Sequence, residues 1–96
     1  MQTHLDRSDK TVRSREQVLE EVRQLVAEQI SLPLNEVREE HDLITDLGYD
    51  SLDLVELAME LEEHFNITVP DAMSEQARTV GQITDGVMQL VIVQER

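Results

Sequence analysis

The sequence predicts an all-α fold of three main helices and one short one, with a long first loop. Three features point there. Apolar residues recur at i, i+3, i+4 and i+7 in three separate stretches, the period of a helix with one buried face. Helix-start signals precede those stretches: Ser14 with Gln17, Asp50 with Asp53, and Thr79 with Gln82. No run alternates apolar and polar residues at the strand period, and Ile67-Thr68-Val69 is too short to support a sheet.

Residues 1–13 are polar and aperiodic, and are expected to form a flexible N-terminal tail. The single domain is then 14–96. Its first helix is expected over about 15–30, with Val18, Val22, Leu25, Val26 and Ile30 along one stripe. Pro33 discourages continuation. The connection from about Ser31 to Asp50 is long for a helix–helix link, and such loops often carry function. Leu34, Val37, Leu43, Ile44 and Leu47 are expected to pin it to the core, with Asn35 capping a short turn and Gly48 giving backbone freedom near its end.

The second helix is expected over 51–65, capped by Asp50, with Leu54, Leu57, Ala58, Leu61 and Phe65 facing inward. Asn66 and Pro70 bound it. Asp71 is expected to cap a short third helix at about 72–76. Val80, Ile83, Val87, Leu90 and Val91 form the last stripe. Gly81 and Gly86 each weaken that helix by about 1 kcal/mol relative to Ala.

Composition narrows the function. A chain of 96 residues suits one domain. With Tyr49 and Phe65 its only aromatics, the core must be aliphatic. The net charge of −13 argues against nucleic acid and anionic membranes and favours partners with basic patches. It also disfavours self-association, so a monomer is expected. There is no cysteine, no stretch long enough to span a bilayer and no secretory h-region, so a cytoplasmic protein is expected.

The second helix carries more than a core face. Leu52, Val55 and Met59 form a further apolar set beside the inward stripe, with Glu56, Glu60, Glu62 and Glu63 around it. Either this is a broad buried face with solvated acids, or it is a docking surface. The charge pattern favours docking. From Glu39 to Glu75 no Lys or Arg interrupts twelve carboxylates, and such a field costs stability unless a basic partner offsets it. Ser51 stands at the first helical position, where unpaired amides and the helix dipole favour an anion such as an esterified phosphate. Asp50 and Asp53 oppose that charge, and a divalent cation held by them during phosphoryl transfer would ease it. Serine also simply favours helix starts.

The flanking residues separate these readings. Asp46-Leu47-Gly48-Tyr49-Asp50-Ser51-Leu52-Asp53 resembles the phosphopantetheine attachment motif of acyl carrier proteins. The run Leu54-Val55-Glu56-Leu57-Ala58-Met59-Glu60-Leu61-Glu62-Glu63-His64-Phe65 resembles the family's recognition helix, and Val69-Pro70-Asp71 and Thr79-Val80 match in position. The resemblance covers about 15–93. It implies an acyl-carrier-like four-helix bundle that is not itself an enzyme. A phosphopantetheinyl transferase would attach phosphopantetheine covalently to Ser51, and acyl chains would travel as thioesters to enzymes of fatty-acid, polyketide or specialised lipid biosynthesis. The docking residues it implies for these acyl-processing enzymes are Asp50, Leu52, Asp53, Val55, Glu56, Met59, Glu62 and Glu63. The acyl-pocket residues are Leu47, Leu57, Ala58, Leu61, Phe65 and Val69.

Three positions depart from the family pattern. Tyr49 replaces a small or aliphatic residue close to the arm, Ala77 a larger aliphatic one, and Gly86 a frequent aromatic. The lost volume predicts room for a bulkier acyl group.

Rival functions fit less well. A hydrolase would need the Gly-x-Ser-x-Gly elbow, which is missing around Ser51. His4, His41 and His64 lack metal-ligand spacing. A calcium loop starting at Asp42 would place Ile44 and Leu47 where an oxygen ligand and a Gly are needed. An acidic adaptor without a prosthetic group remains, and so does a peptidyl or D-alanyl carrier, although Leu47-Gly48-Tyr49-Asp50 does not match the peptidyl Gly-Gly-His/Asp pattern.

Overall fold

A computed structural model describes residues 14–94. The expected tail, 1–13, lies outside the described residues. Among the described residues four helices follow one another: α1 (Arg15–Ile30), α2 (Ser51–Phe65), α3 (Asp71–Gln76) and α4 (Val80–Gln94), with a 3-10 turn at Leu34–Glu36 between α1 and α2. Among the described residues there is no strand, only one isolated antiparallel bridge between Asp42 and Thr79. No described helix is long and apolar enough to cross a membrane.

The helices start where the capping chemistry requires. The Ser14 hydroxyl accepts the Gln17 N–H while the Gln17 side chain accepts the Ser14 N–H, both at 3.1 Å. Thr79 and Gln82 form the same reciprocal pair at 3.1 Å. α1 ends before Pro33: Ser31 turns left-handed (φ 60°) and returns its N–H to the Ala27 carbonyl. Asn66 ends α2 likewise (φ 56°). Two expected caps are not made. Asn35 lies inside the 3-10 turn, behind Pro33. Asp71 is the first residue of α3, with Pro70 at the cap position, because proline's fixed φ suits the entry to a helix.

The core is aliphatic. Val18, Val22 and Val26 of α1, Leu57 and Leu61 of α2 and Val80, Val87 and Val91 of α4 are buried together, and Ala27 joins them. Leu25, Ile30, Leu54 and Leu90, expected in the stripes, pack half-buried at the edges. Thr84 is the one buried polar side chain described, and its hydroxyl donates to the Val80 carbonyl at 2.9 Å.

The connection between α1 and α2 is fixed. Val37, Leu43 and Tyr49 are buried, and Leu34 and Leu47 pack against the core. Ile44 does not: it is 39% exposed, because Leu43 takes the inward direction at that turn. Asp42 organises the bend, its Oδ1 accepting the Ile44 and Thr45 amides at 2.8 and 2.9 Å. Those amides, and next Arg78, hold its carboxyl below the usual aspartate range. The Leu43 N–H donates to the Arg78 carbonyl (2.8 Å) and the Val80 N–H to the His41 carbonyl (3.0 Å), so the loop is stitched to the entry of α4.

Leu43→Ala is expected to cost about 2–5 kcal/mol although it lies outside the helices. Ile44→Ala, one residue on, is expected to stay within about 0.5 kcal/mol. Urea unfolding of the two variants should give widely separated midpoints.

Candidate functional site

The site is built where the loop meets α2. Gly48 takes φ 78°, a backbone that favours glycine and turns the chain toward the helix. Tyr49 then points into the protein. It is 3% exposed, its N–H donates to the Leu43 carbonyl (2.9 Å) and its hydroxyl to Gln29 Oε1 (2.5 Å). Gln29 in turn donates from Nε2 to the Asp53 carbonyl (2.9 Å). One α1 side chain thus holds both the residue before the cap and the first turn of α2. The ring is an anchor, because loop and α1 leave it an apolar slot with a polar end. Burial, and then the Asp53 charge, push its hydroxyl well above the usual tyrosine range.

Asp50 caps α2 with an extended backbone. Its Oδ1 accepts the Asp53 N–H (2.9 Å) and Asp53 Oδ2 accepts the Asp50 N–H (3.0 Å). The Asp53 amide is the main reason that the Asp50 carboxyl sits below the usual aspartate range. The reciprocal cap engages the Asp53 amide, one of those that the helix itself leaves without a partner at its start. Ser51 follows the cap, exposed to solvent. A nucleophilic or esterified hydroxyl here is accessible and rigidly placed.

Two spaces lie behind Ser51. An open cavity of about 400 Å³ is lined by Ser51, Leu54, Val55, Ala58, Met59, Glu62, Val69, Asp71 and Glu75. A much smaller one of about 20 Å³ lies among Leu54, Leu57, Ala58, Leu61, Val69, Met73, Ala77 and Ile83. Leu54, Ala58 and Val69 border both, so they form the partition between mouth and interior. A larger groove, about 710 Å³, runs between α1 and α2 among Glu28, Glu56, Glu60 and Glu63, but it is open, rimmed by acids and does not include Ser51.

Of the expected pocket residues, Leu57, Ala58, Leu61 and Val69 come together. Leu47 and Phe65 do not line the interior cavity. Leu47 packs from the loop side, and Phe65 closes the far end of α2, about 21 Å along the helix from Ser51. Met73, which is not one of the expected pocket residues, lines that cavity as well. The signal available was Gly86: a glycine inside an apolar stripe marks a close approach by a neighbour. A Cβ built on Gly86 would lie 2.6 Å from Met73 Sδ. Met73 fills the volume released at Gly86 and leaves only about 20 Å³, so the structure does not hold the extra room expected for a bulkier acyl group while Met73 is in place.

The outer face of α2 is open. Leu52, Val55 and Met59 are 64%, 56% and 60% exposed, and Asp50, Glu56, Glu60 and Glu63 are exposed around them. Asp53 and Glu62 are half-buried and already engaged, Asp53 in the cap and Glu62 through Oε2, which accepts the Val69 N–H at 2.8 Å. Among the described residues neither histidine stands ready as a base for Ser51. His41 Nδ1 accepts the Arg38 N–H (3.0 Å), and His64 pairs with Glu21 (2.8 Å) about 20 Å along α2 from Ser51. Among the described residues no group of three or more His, Cys, Asp or Glu is placed to hold a metal ion.

Residues 20–87 match the family described as the phosphopantetheine attachment site. The chain is also 46% identical over 66 residues to an acyl carrier protein of Wolinella succinogenes, an alignment covering 69% of this chain and 87% of that protein.

Tyr49 is the only tyrosine and there is no tryptophan, so ionisation of its hydroxyl can be read by absorbance. The folded protein holds the Tyr49 proton more tightly than the unfolded chain. The stability it contributes is therefore complete below the unfolded value of about 10 and is lost as pH rises above it. A spectrophotometric titration should show no tyrosinate at pH 10 in the native protein and half-ionisation near that pH in urea.

Proposed function

The chain belongs to the acyl carrier proteins, and from that premise we propose that Ser51 bears the prosthetic arm, that the outer strip of α2 receives the partner enzymes, and that the cavity behind Ala58 shelters the cargo. The protein carries acyl groups by means of a covalently bound phosphopantetheine. The proposal for Ser51 is carried by one observation: it is the exposed serine at the start of α2, at the lip of an apolar-walled opening of about 400 Å³. When bound, the arm supplies a terminal thiol, absent from a chain without cysteine, on which acyl groups are held as thioesters.

Each part of the site has a physical task. The Asp50–Asp53 cap and the Tyr49–Gln29 anchor hold the Ser51 hydroxyl out toward solvent, where a phosphopantetheinyl transferase can reach it. Leu52, Val55 and Met59 give a docking enzyme an apolar contact, and Asp50, Glu56 and Glu63 steer its basic patch. Asp53 and Glu62 set the shape of that face more than they greet a partner, because their carboxylates are occupied by Asp50 and Val69 amides. Leu57, Ala58, Leu61 and Val69 offer the acyl chain an aliphatic wall. The excess of negative charge supports a monomer, and the acidic α2 favours fatty-acid biosynthesis over a peptidyl pathway.

Intact-protein mass after incubation with coenzyme A and a phosphopantetheinyl transferase should show one arm gained by the wild type and none by Ser51→Ala. A folded wild type that gains nothing with its host's own transferase would favour an acidic adaptor. Glu56→Lys with Glu63→Lys should lower the transferase kcat/KM by about tenfold, or about 1.4 kcal/mol, and the loss should shrink as salt screens the encounter.

A further inference from the structure

We propose that Met73 is the movable wall of the interior cavity and that its seat on Gly86 decides which acyl chains are drawn in. This rests on the reading of that cavity as the acyl shelter. At about 20 Å³ the cavity has room for little more than one water, so no chain enters unless a wall moves.

The walls differ in how easily they move. Leu57 and Leu61 are 1% exposed and lie in the core shared with α1 and α4. Ile83 is buried and stiff at χ1. Ala58 and Ala77 have no side-chain torsion to give. Val69 is held through its amide by Glu62. Met73 has three rotatable bonds and a polarisable thioether that adapts to irregular space. It stands on α3, a helix of six residues whose start has no side-chain cap. Its neighbours Asp71, Ala72, Glu75 and Gln76 are exposed, so solvent lies within reach of a displaced side chain.

Gly86 supplies the seat. Met73 Sδ, Cε and Cγ would lie 2.6, 3.0 and 3.2 Å from a Cβ at Gly86, so the thioether occupies a notch that any other residue would fill. Seated, Met73 bridges α3 to α4 and closes the interior. Leu54, Ala58 and Val69 separate it from the mouth at Ser51. A short acyl group fits the mouth and leaves Met73 in place. A longer one gains burial with each methylene that passes the partition, and unseats it.

The test is made on the full chain with acetyl-, octanoyl- and dodecanoyl-phosphopantetheine transferred to the Ser51 hydroxyl from the corresponding acyl-coenzyme A by a phosphopantetheinyl transferase, with adenosine 3′,5′-bisphosphate as the leaving group. Methionine is labelled with carbon-13 at its methyl, and the Met73 signal is assigned as the one missing in Met73→Leu. The acetyl form should leave the Met73 methyl where it is in the unacylated carrier, and the dodecanoyl form should move it. Cleavage of the octanoyl thioester by hydroxylamine should slow by about threefold in Met73→Ala, which removes the wall. It should quicken by a similar factor in Gly86→Ala, which drives the sulfur off its seat into the cavity. An arm that is loaded by mass while the Met73 methyl stays unmoved with every chain overturns the inference and leaves the carrier reading intact. An equal cleavage rate in all three folded proteins overturns it too. A wild type that takes up no arm at all is a different result, and removes the shelter together with the carrier site.

Discussion

Everything at Ser51 depends on how the segment between α1 and α2 is held down. That segment is free of regular structure except for one 3-10 turn, yet it must end with its last residues fixed, because the next residue is the serine. Three buried side chains, Val37, Leu43 and Tyr49, attach it to the core at intervals of six residues. Polar side chains from α1 satisfy the backbone that this leaves exposed. Arg23 donates to the Val37 carbonyl (2.6 Å) and the Leu34 carbonyl (2.9 Å), and Gln29 couples Tyr49 to the first turn of α2. Conformational entropy of about 1–2 kcal/mol per residue opposes this ordering. Burial of aliphatic and aromatic side chains offsets it only because carbonyls and amides are not left orphaned in the process.

The same economy explains the electrostatics. Four arginines lie among the described residues, and all four are engaged away from α2. Arg15 pairs with Glu39 (2.5 Å) and Asp85 (2.7 Å), joining α1, the loop and α4. Arg23 reaches Glu20, Arg38 lies 3.8 Å from Glu40, and Arg78 pairs with Asp42. These pairs are largely exposed, and individually each contributes little. Their placement matters more than their strength. They neutralise carboxylates where loop meets helix and neutralise none on the outer face of α2. The negative face is thus left by the same distribution of cations that secures the frame, and Leu52, Val55 and Met59 stand within it uncovered.

The helical elements were legible because period and caps agree locally. Ser14 with Gln17, Asp50 with Asp53 and Thr79 with Gln82 each make the reciprocal bonds their spacing predicts, and the stripes of α1, α2 and α4 supply the buried valines and leucines. The position of Ser51 followed from the same local rules, whereas period alone left the α2 strip open between a buried face and a docking surface, and the uninterrupted carboxylates favoured the second. What was not legible depends on contacts between elements distant in sequence. Whether Leu43 or Ile44 turns inward is settled by the bridge to Arg78 and Thr79. Whether Tyr49 faces solvent or core is settled by Gln29, twenty residues earlier. Leu47 and Phe65 carry the right chemistry for a pocket wall, but the loop and the helix end place them outside it. Gly86 reads in sequence as lost volume, when that volume belongs to Met73 on another helix.

These contacts divide the molecule mechanically. The Ser51 side is over-determined, with a reciprocal cap, an anchored tyrosine and a glycine in the left-handed region all fixing one short stretch of backbone. The α3 side is not. It is one and a half turns long, has no side-chain cap, and presents to the interior a methionine where the other walls present branched or short side chains. A carrier needs both properties at once. The attachment point must be the same for every enzyme that reads it, while the interior must yield to cargo of changing length. A uniformly rigid bundle would meet the first need and fail the second, since a core packed to ordinary density has no room for a guest. If cargo enters as proposed, compliance concentrated in one short helix, on the far side of the partition from Ser51, would let the interior change without moving the serine or the face beside it.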